Sequence, residues 1–142
     1  MPIPNGGGGY QVGAGNGAEV ILEALAAPPA NLGAGATLTG AQLAAGILLV
    51  GASQTTAQTF TLPSATVLDT AAGAVVPNAR IGSVFELVVI NTGTGSGSAA
   101  LSMGSGTGFT DGGNATVALS AGTSGRFLFR KTADATWTVY RV

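Results

Sequence analysis

The sequence predicts a mainly β protein, an antiparallel β-sandwich or jelly-roll-like domain with one or two short helices. Short apolar runs rich in Val, Ile, Leu, Phe and Thr recur at a spacing of roughly ten residues. Gly-, Ser- and Thr-rich turns separate these runs, and Gly accounts for 24 of the 142 residues. Short strands with frequent turn signals are typical of a sandwich or barrel.

The chain divides into an N-terminal arm and one domain. Residues 1–17 contain an uninterrupted run of glycines from 6 to 9, and Tyr10 and Val12 are the apolar anchors of this arm. Because glycine loses the most backbone entropy on ordering, we expect a flexible arm that reaches a neighbouring subunit, with a frayed terminus as the alternative. Residues 18–142 are expected to form a single β-rich domain, long enough for a hydrophobic core without disulfides or metals.

Residues 18–27 fit both a strand and a helix. The run Val20-Ile21-Leu22 favours a strand, whereas the Ala and Glu content favours a helix. Pro28-Pro29 ends the segment in either case. Glu19 and Glu23 have the i,i+4 spacing of one helix face, which is usually solvated; two positions at a strand edge are the alternative.

Caps and turn residues divide the next part of the chain into short elements. We expect a short helix over 38–45 with Thr39 as its N-cap, and a second over 64–71 with Ser64 as its N-cap. Two strands are expected between these helices: 47–50 and 59–62.

From residue 81 onward the pattern is β throughout. Apolar alternation and Gly-rich turns predict five strands: 83–91, 99–103, 116–119, 126–131 and 137–142. Asp111-Gly112-Gly113-Asn114 predicts a hairpin turn. Aromatic residues near the end of the chain are expected in the core: Phe127, Phe129, Trp137 and Tyr140.

The strongest predicted strand, 83–91, is apolar on both faces. One face carries Phe85, Leu87 and Val89, and the other carries Val84, Glu86, Val88 and Ile90. We expect both faces to be largely covered, as in a central strand of a sandwich or in a subunit contact.

The residue types needed for most catalytic and metal sites are missing. The chain has no His and no Cys, which excludes Ser-His-Asp and Cys-His catalysis and the usual zinc or iron sites. The spacing of the six carboxylates does not favour a catalytic pair. A calcium site at Asp111 and Asn114 would need more carboxylates, so an Asx turn is expected there. We therefore expect a protein that is not an enzyme and that holds no cofactor or metal.

Charged residues are unusually rare. They make up 8% of the chain, against about 25% in an average soluble domain, and the net charge is -1. Such a surface lacks the repulsion that keeps monomers apart, so we expect partners to cover much of it. The five basic residues are too few for nucleic-acid binding. We also expect no secretion signal and no membrane span, because the apolar stretches are too short.

The two signs of charge are unevenly distributed along the chain. Such asymmetry suits a heterologous subunit contact in which ion pairs fix the register, and a solvated β face is the alternative. The basic group consists of Arg126, Arg130, Lys131 and Arg141, and the acidic residues of the other part are Glu19, Glu23 and Asp69. The candidate contact residues are therefore Tyr10, Val12, Glu19, Glu23, Arg126, Arg130, Lys131 and Arg141.

Loose strand and turn motifs from about residue 10 onward carry a family resemblance. In order they are Gln11-Val12-Gly13 through Gly15-Asn16 to Glu19, Leu38-Thr39 with Gln42-Leu43 and Gly46-Ile47-Leu48, Thr59-Phe60-Thr61-Leu62-Pro63, Gly82-Ser83-Val84-Phe85-Glu86 to Ile90-Asn91-Thr92, Gly122-Thr123-Ser124-Gly125-Arg126-Phe127, and Trp137-Thr138-Val139-Tyr140-Arg141. Together they resemble the capsid decoration proteins of tailed bacteriophages, also called head-stabilising or cement proteins.

The resemblance implies a structural virion protein. Such a protein is made in the host cytoplasm, assembles as a β-rich homotrimer and lies on the capsid exterior, where it bridges neighbouring subunits of the major capsid protein. Head fibres, tail-associated proteins and adhesion modules that bind a host surface have similar sequences and stay open as the alternative.

Overall fold

The computed structural model describes residues 31–104 and 108–142. The predicted arm over 1–17 and the segment 18–27 lie outside the described residues. The same is true of four candidate contact residues: Tyr10, Val12, Glu19 and Glu23.

The described chain is mainly β, as the sequence predicts. It contains two single-turn helices, α1 (Gly40–Leu43) and α2 (Thr66–Asp69). Its strands are β1 (Ile47–Val50), β2 (Gln58–Thr61), β3 (Val84–Asn91), β4 (Ala99–Ser102), β5 (Phe109–Gly113), β6 (Ser124–Ala133) and β7 (Thr136–Arg141).

The strands form a five-stranded sheet and a two-stranded sheet. The order in the large sheet is β1-β3-β6-β7-β5, and in the small sheet β2 pairs with β4. The central pairs β3–β6 and β6–β7 are antiparallel, as expected, whereas β1–β3, β5–β7 and β2–β4 are parallel. The parallel pairs join strands that are not consecutive in the chain, because a parallel connection needs a long crossover.

The hydrophobic core lies between the two sheets. The small sheet contributes Phe60 and Leu101, and the large sheet contributes Val50, Val89 and Phe127, all of them buried. These side chains line the same narrow apolar gap. Burial of each stabilises the fold by about 1.5–3 kcal/mol, so one face of the large sheet is fixed as its inner face.

Helix α1 begins as predicted. The hydroxyl of Thr39 accepts a hydrogen bond from the N–H of Gln42 at 3.2 Å, and Oε1 of Gln42 accepts one from the N–H of Thr39 at 2.8 Å. This reciprocal capping box satisfies two backbone donors at the helix start.

Helix α2 is shorter than the predicted 64–71, and Ser64 is not its N-cap. Ala65 occupies that position without a side-chain hydrogen bond, while Oγ of Ser64 lies 2.9 Å from Oγ1 of Thr66. The helix ends early because the carbonyl of Val67 accepts from the N–H of Val75, which lies beyond the helix.

The predicted hairpin at Asp111-Gly112-Gly113-Asn114 is wrong. Its first three residues belong to β5, which runs parallel to β7. The predicted strand over 116–119 is also wrong, since only Leu119 pairs there, in an isolated bridge to Ala99. The physical reason is the carboxylate of Asp111, which organises the loop after β5 as described below.

Strand β3 is covered on one face only. Leu87 and Val89 are buried on the inner face, whereas Val84 on the opposite face is 53% exposed and Val88 and Ile90 are half-buried. Within residues 31–104 and 108–142 the interpretation as a central strand covered on both faces is therefore wrong, whereas coverage by a subunit contact stays a prediction. This face positions the candidate site.

Candidate functional site

The candidate site is the outer face of the large sheet, the side turned away from the core. Side chains alternate across a strand, so the partners of the buried positions on β1, β3, β6 and β7 share this face. The following residues make up the outer face: Ile47, Leu49, Val84, Glu86, Val88, Ile90, Arg126, Leu128, Arg130, Thr138 and Tyr140.

Apolar side chains dominate the outer face. Ile47 is 39% exposed and pairs in register with Val88, and Leu49 pairs with Ile90. The strand spacing and rise give the face an area of roughly 450 Å². The apolar side chains cover part of this area, and the ion pair of Glu86 with Arg126 lies among them. Exposed apolar side chains grouped with a few charges are typical of an interaction surface.

Tyr140 belongs to the outer face and not to the core. Its partner in register, Leu128, is also half-buried there, whereas the predicted core residues Trp137, Phe127 and Phe129 are buried. The ring of Tyr140 lies close over Gly112 of β5, where a Cβ atom would overlap it. The sequence prediction was wrong because it grouped the aromatic residues by type and did not apply strand alternation to Tyr140.

The outer face carries one internal ion pair. Nε of Arg126 lies 2.9 Å from Oε2 of Glu86, with side chains 58% and 44% exposed. An exposed pair of this kind contributes about 0–1 kcal/mol. Its main effect is to neutralise the only carboxylate that the described chain places on this face.

Arg130 is the uncompensated charge of the outer face. It is exposed and lies in register with Val84 on β3 and Thr138 on β7. Among residues 31–104 and 108–142, no carboxylate forms an ion pair with its guanidinium. A basic group at the border of an apolar patch favours a partner surface that supplies a carboxylate.

Lys131 is buried, so the solvated-face alternative fails for this residue. Its side chain is 5% exposed, and Nζ lies 2.7 Å from Oδ2 of Asp69 and 2.9 Å from Oδ1 of Asp134. Nζ also donates to the carbonyl of Ala79 at 3.1 Å. The carboxylate of Asp69, followed by that of Asp134, raises the pKa of Lys131 above its usual 10.5. Both Lys131 and Asp69 are engaged inside the domain, and we do not include them in the contact surface.

Arg141 lies apart from the outer face. It is half-buried at the end of β7, and its Nη1 donates to the carbonyl of Val117 at 2.9 Å. The four basic residues therefore do not form one cluster: the structure brings only Arg126 and Arg130 together on a solvent-facing sheet surface. Leu128 lies between them, and it was not among the predicted contact residues. Strand alternation is the signal that would have identified it.

The loop after β5 is an Asx turn, as predicted. The carboxylate of Asp111 accepts hydrogen bonds from the N–H groups of Gly113, Ala115 and Thr116 and from the hydroxyl of Thr116. The N–H of Ala115 has the largest effect, and together these donors hold the pKa of Asp111 below its usual 3.8. Both oxygens accept hydrogen bonds from the loop itself, and these bonds explain the conformation of the loop.

Within the described ranges, no group of three or more carboxylates is placed to hold a metal ion. No helix in that part of the chain is long and apolar enough to cross a membrane. Comparison with protein-family models, curated proteins and solved structures finds no match to this chain.

Proposed function

We propose that the protein is a structural virion protein that attaches to the outer surface of an assembled phage capsid and bridges neighbouring major capsid protein subunits. The outer face of the large sheet is a contact surface within that assembly. The observation that carries the proposal is this largely apolar face, which residues 31–104 and 108–142 leave uncovered, in a chain with only 8% charged residues.

The size of the face indicates how such attachment would work. A stable interface typically buries about 800 Å² on each partner, roughly twice the area estimated for the outer face. One copy therefore supplies too little contact by this face alone. Several linked copies bind together with much higher avidity, which favours a homotrimer as the attached unit.

The ionisable groups of the described domain support a structural role. Asp69 and Asp134 bind Lys131, Glu86 binds Arg126, and Asp111 caps its own loop. Each of these carboxylates thus contributes to the fold or to the surface charge pattern.

The capsid, among possible assemblies, is favoured by the resemblance to decoration proteins. Binding only to the assembled shell stabilises that shell by mass action, and this requires no catalytic chemistry. An apolar face with a few fixed charges is suited to this task.

Two variants with matched exposure test the proposal. Val84 and Val117 are each 53% exposed, but only Val84 lies on the outer face. Shells assembled from the major capsid protein of the phage that encodes this chain are mixed with wild type, Val84→Asp and Val117→Asp, and bound protein is measured by co-sedimentation. We expect Val84→Asp to weaken binding by about tenfold or more and Val117→Asp to leave it nearly unchanged.

Two outcomes would contradict the proposal. If wild type does not sediment with shells but binds intact host cells, the protein is an adhesion or fibre module. If both variants bind shells as wild type does, the outer face is not a contact surface.

A further inference from the structure

We propose that residues 18–27 of a neighbouring copy bind across the outer face, with Glu19 and Glu23 supplying the carboxylate that Arg130 lacks. This inference rests on the proposed function only in requiring that copies associate. It names the partner of the outer face as a second copy of this chain.

The charge distribution identifies the acidic partner. The four acidic side chains of the described chain are all engaged, by Lys131, by Arg126 or by the Asp111 loop. The sequence contains six acidic side chains, and the other two are Glu19 and Glu23. These two are the acidic side chains left to meet an uncompensated arginine.

The basic side is equally restricted. Lys131 is buried in its ion pairs, Arg126 pairs with Glu86, and Arg141 donates to Val117. In the described part of the chain, this leaves the side chains of Arg80, Arg130 and Arg141 without a carboxylate. Only Arg130 lies on the outer face, next to apolar side chains.

The composition of residues 18–27 matches the outer face. The segment combines its two glutamates with four large apolar residues: Val20, Ile21, Leu22 and Leu25. An acidic apolar segment complements an apolar face whose uncompensated charge is positive. A face-to-face contact of two outer faces would instead bring Arg130 to a surface whose only carboxylate, Glu86, is already paired.

The start of the described chain indicates a neighbouring copy. Leu32 is held at the edge of β1, where its N–H donates to Leu49 and its carbonyl accepts from Gly51. Pro28-Pro29 comes shortly before, and consecutive prolines favour an extended chain and disfavour the tight reversal needed to fold back over the same sheet. From Asn31 back to Glu23, eight residues span at most roughly 28 Å, so an extended segment can pass beyond the edge of its own sheet.

Such a contact joins two different surfaces, the segment of one copy and the sheet face of the next. Heterologous contacts of this kind close into a ring when the rotation between copies permits it. In a closed ring of three copies, each segment covers part of one outer face, and the rest of that face stays open to the shell.

Self-association without shells tests the charge pairing. We compare wild type, Arg130→Gln, the double variant Glu19→Gln with Glu23→Gln, and the control Arg80→Gln by light scattering and sedimentation at several concentrations. We expect Arg130→Gln and the double glutamate variant each to weaken association by about tenfold. Arg80→Gln should associate as wild type does. A wild-type chain that stays monomeric, or equal effects of Arg130→Gln and Arg80→Gln, would overturn the inference.

Cross-linking tests which copy supplies the segment. Because the sequence has no Cys, single-cysteine chains give unambiguous products. Glu19→Cys and Glu23→Cys chains are each mixed with Arg130→Cys or, as control, Arg80→Cys chains under mild oxidation. We expect mixed disulfides with Arg130→Cys and almost none with Arg80→Cys. Equal yields of mixed disulfides with Arg130→Cys and Arg80→Cys, or none with either, would overturn the inference.

The two proposals can fail separately. Shell binding that depends on Val84, without segment cross-links, would refute the second copy as partner and keep the structural function. Copies that cross-link but do not bind shells would refute the capsid function and keep the second copy as the partner of the outer face.

Discussion

The ammonium nitrogen of Lys131 lies 2.7 Å from Oδ2 of Asp69, whose side chain is fully buried. The pair joins β6 to α2, and the carboxylate of Asp69 also accepts from the N–H of Ala135 at 3.2 Å. A residue that the sequence suggests as a surface contact thus links distant parts of the fold.

Replacing Asp69 by Asn should destabilise the domain strongly. Removing one partner of a buried ion pair typically costs about 3–5 kcal/mol of stability. The loss here should be about 3 kcal/mol, because Lys131 retains its ion pair with Asp134. The free energy of unfolding in urea measures the effect. Asp134→Asn is the control, because its side chain is 84% exposed and its pair should contribute below about 1 kcal/mol. Equal losses in the two variants would show that Asp69 is not the main partner.

Asn91→Asp should strongly destabilise the domain, although the two side chains have nearly the same shape. The buried amide of Asn91 donates to the carbonyls of Gly97 at 2.8 Å and Leu119 at 3.0 Å, and its oxygen accepts from Gly93. A carboxylate would place acceptors against two carbonyl oxygens, which should cost about 3 kcal/mol or more. Gly51, at φ 81°, provides room for this amide, since a Cβ there would overlap Oδ1.

Asn78→Asp is the control for that substitution, because Asn78 is exposed. Thermal unfolding of both variants should show a clear decrease in Tm for Asn91→Asp and little change for Asn78→Asp. A small effect of Asn91→Asp would mean that the loops it joins are held by other contacts.

Val→Thr at two neighbouring positions on β3 should affect different properties of the protein, stability at Val89 and association of copies at Val88. Val89 is buried on the inner face, so a hydroxyl there should cost about 1–3 kcal/mol of stability. Val88 is on the outer face, where Thr should change stability by less than about 0.5 kcal/mol but weaken association of copies. Urea unfolding and sedimentation measure the two effects separately. Unchanged association of Val88→Thr would count against the outer face as a contact surface.

The Asx turn after β5 should make stability sensitive to acid. Because the pKa of Asp111 lies below its usual 3.8 in the folded state, its contribution is present above that pH and is lost as pH falls through the lowered value. Asp111→Ala should therefore be less stable than wild type near pH 6 by about 1 kcal/mol, and the difference should shrink as pH falls through the lowered pKa of Asp111. Urea titrations at neutral pH and at a series of acidic pH values measure this, and Glu86→Gln, a surface-pair variant, is the control. A difference that persists at low pH would assign the loss to packing.

The class of fold and the positions of most strands follow from local patterns. The alternation in 126–131 correctly places Phe127 and Phe129 inside and Arg126 and Arg130 outside, because side-chain direction in a strand has a period of two. The same rule, applied from Trp137, would have placed Tyr140 on the outer face. The cap of α1 was predictable because Thr39 and Gln42 are three residues apart.

The candidate site was predictable only in part. Arg126 and Arg130 were identified from the sequence, but the parallel pairing of β1 with β3 adds Ile47 and Leu49 to the same face. Strand order depends on contacts between residues far apart in the chain, and local periodicity does not encode it.

By itself, the sequence determined a β-rich chain without histidine or cysteine, poor in charge and with alternating faces on its strands. Only the tertiary structure decided which charges are free, because ion pairing depends on distances between atoms of different elements. Asp69 and Lys131 are 62 positions apart in the chain, yet folding brings them into contact and removes both from the surface. Among the described residues, the same folding leaves Arg130 without a carboxylate beside an apolar face. Local patterning places this side chain, but long-range packing decides its partner.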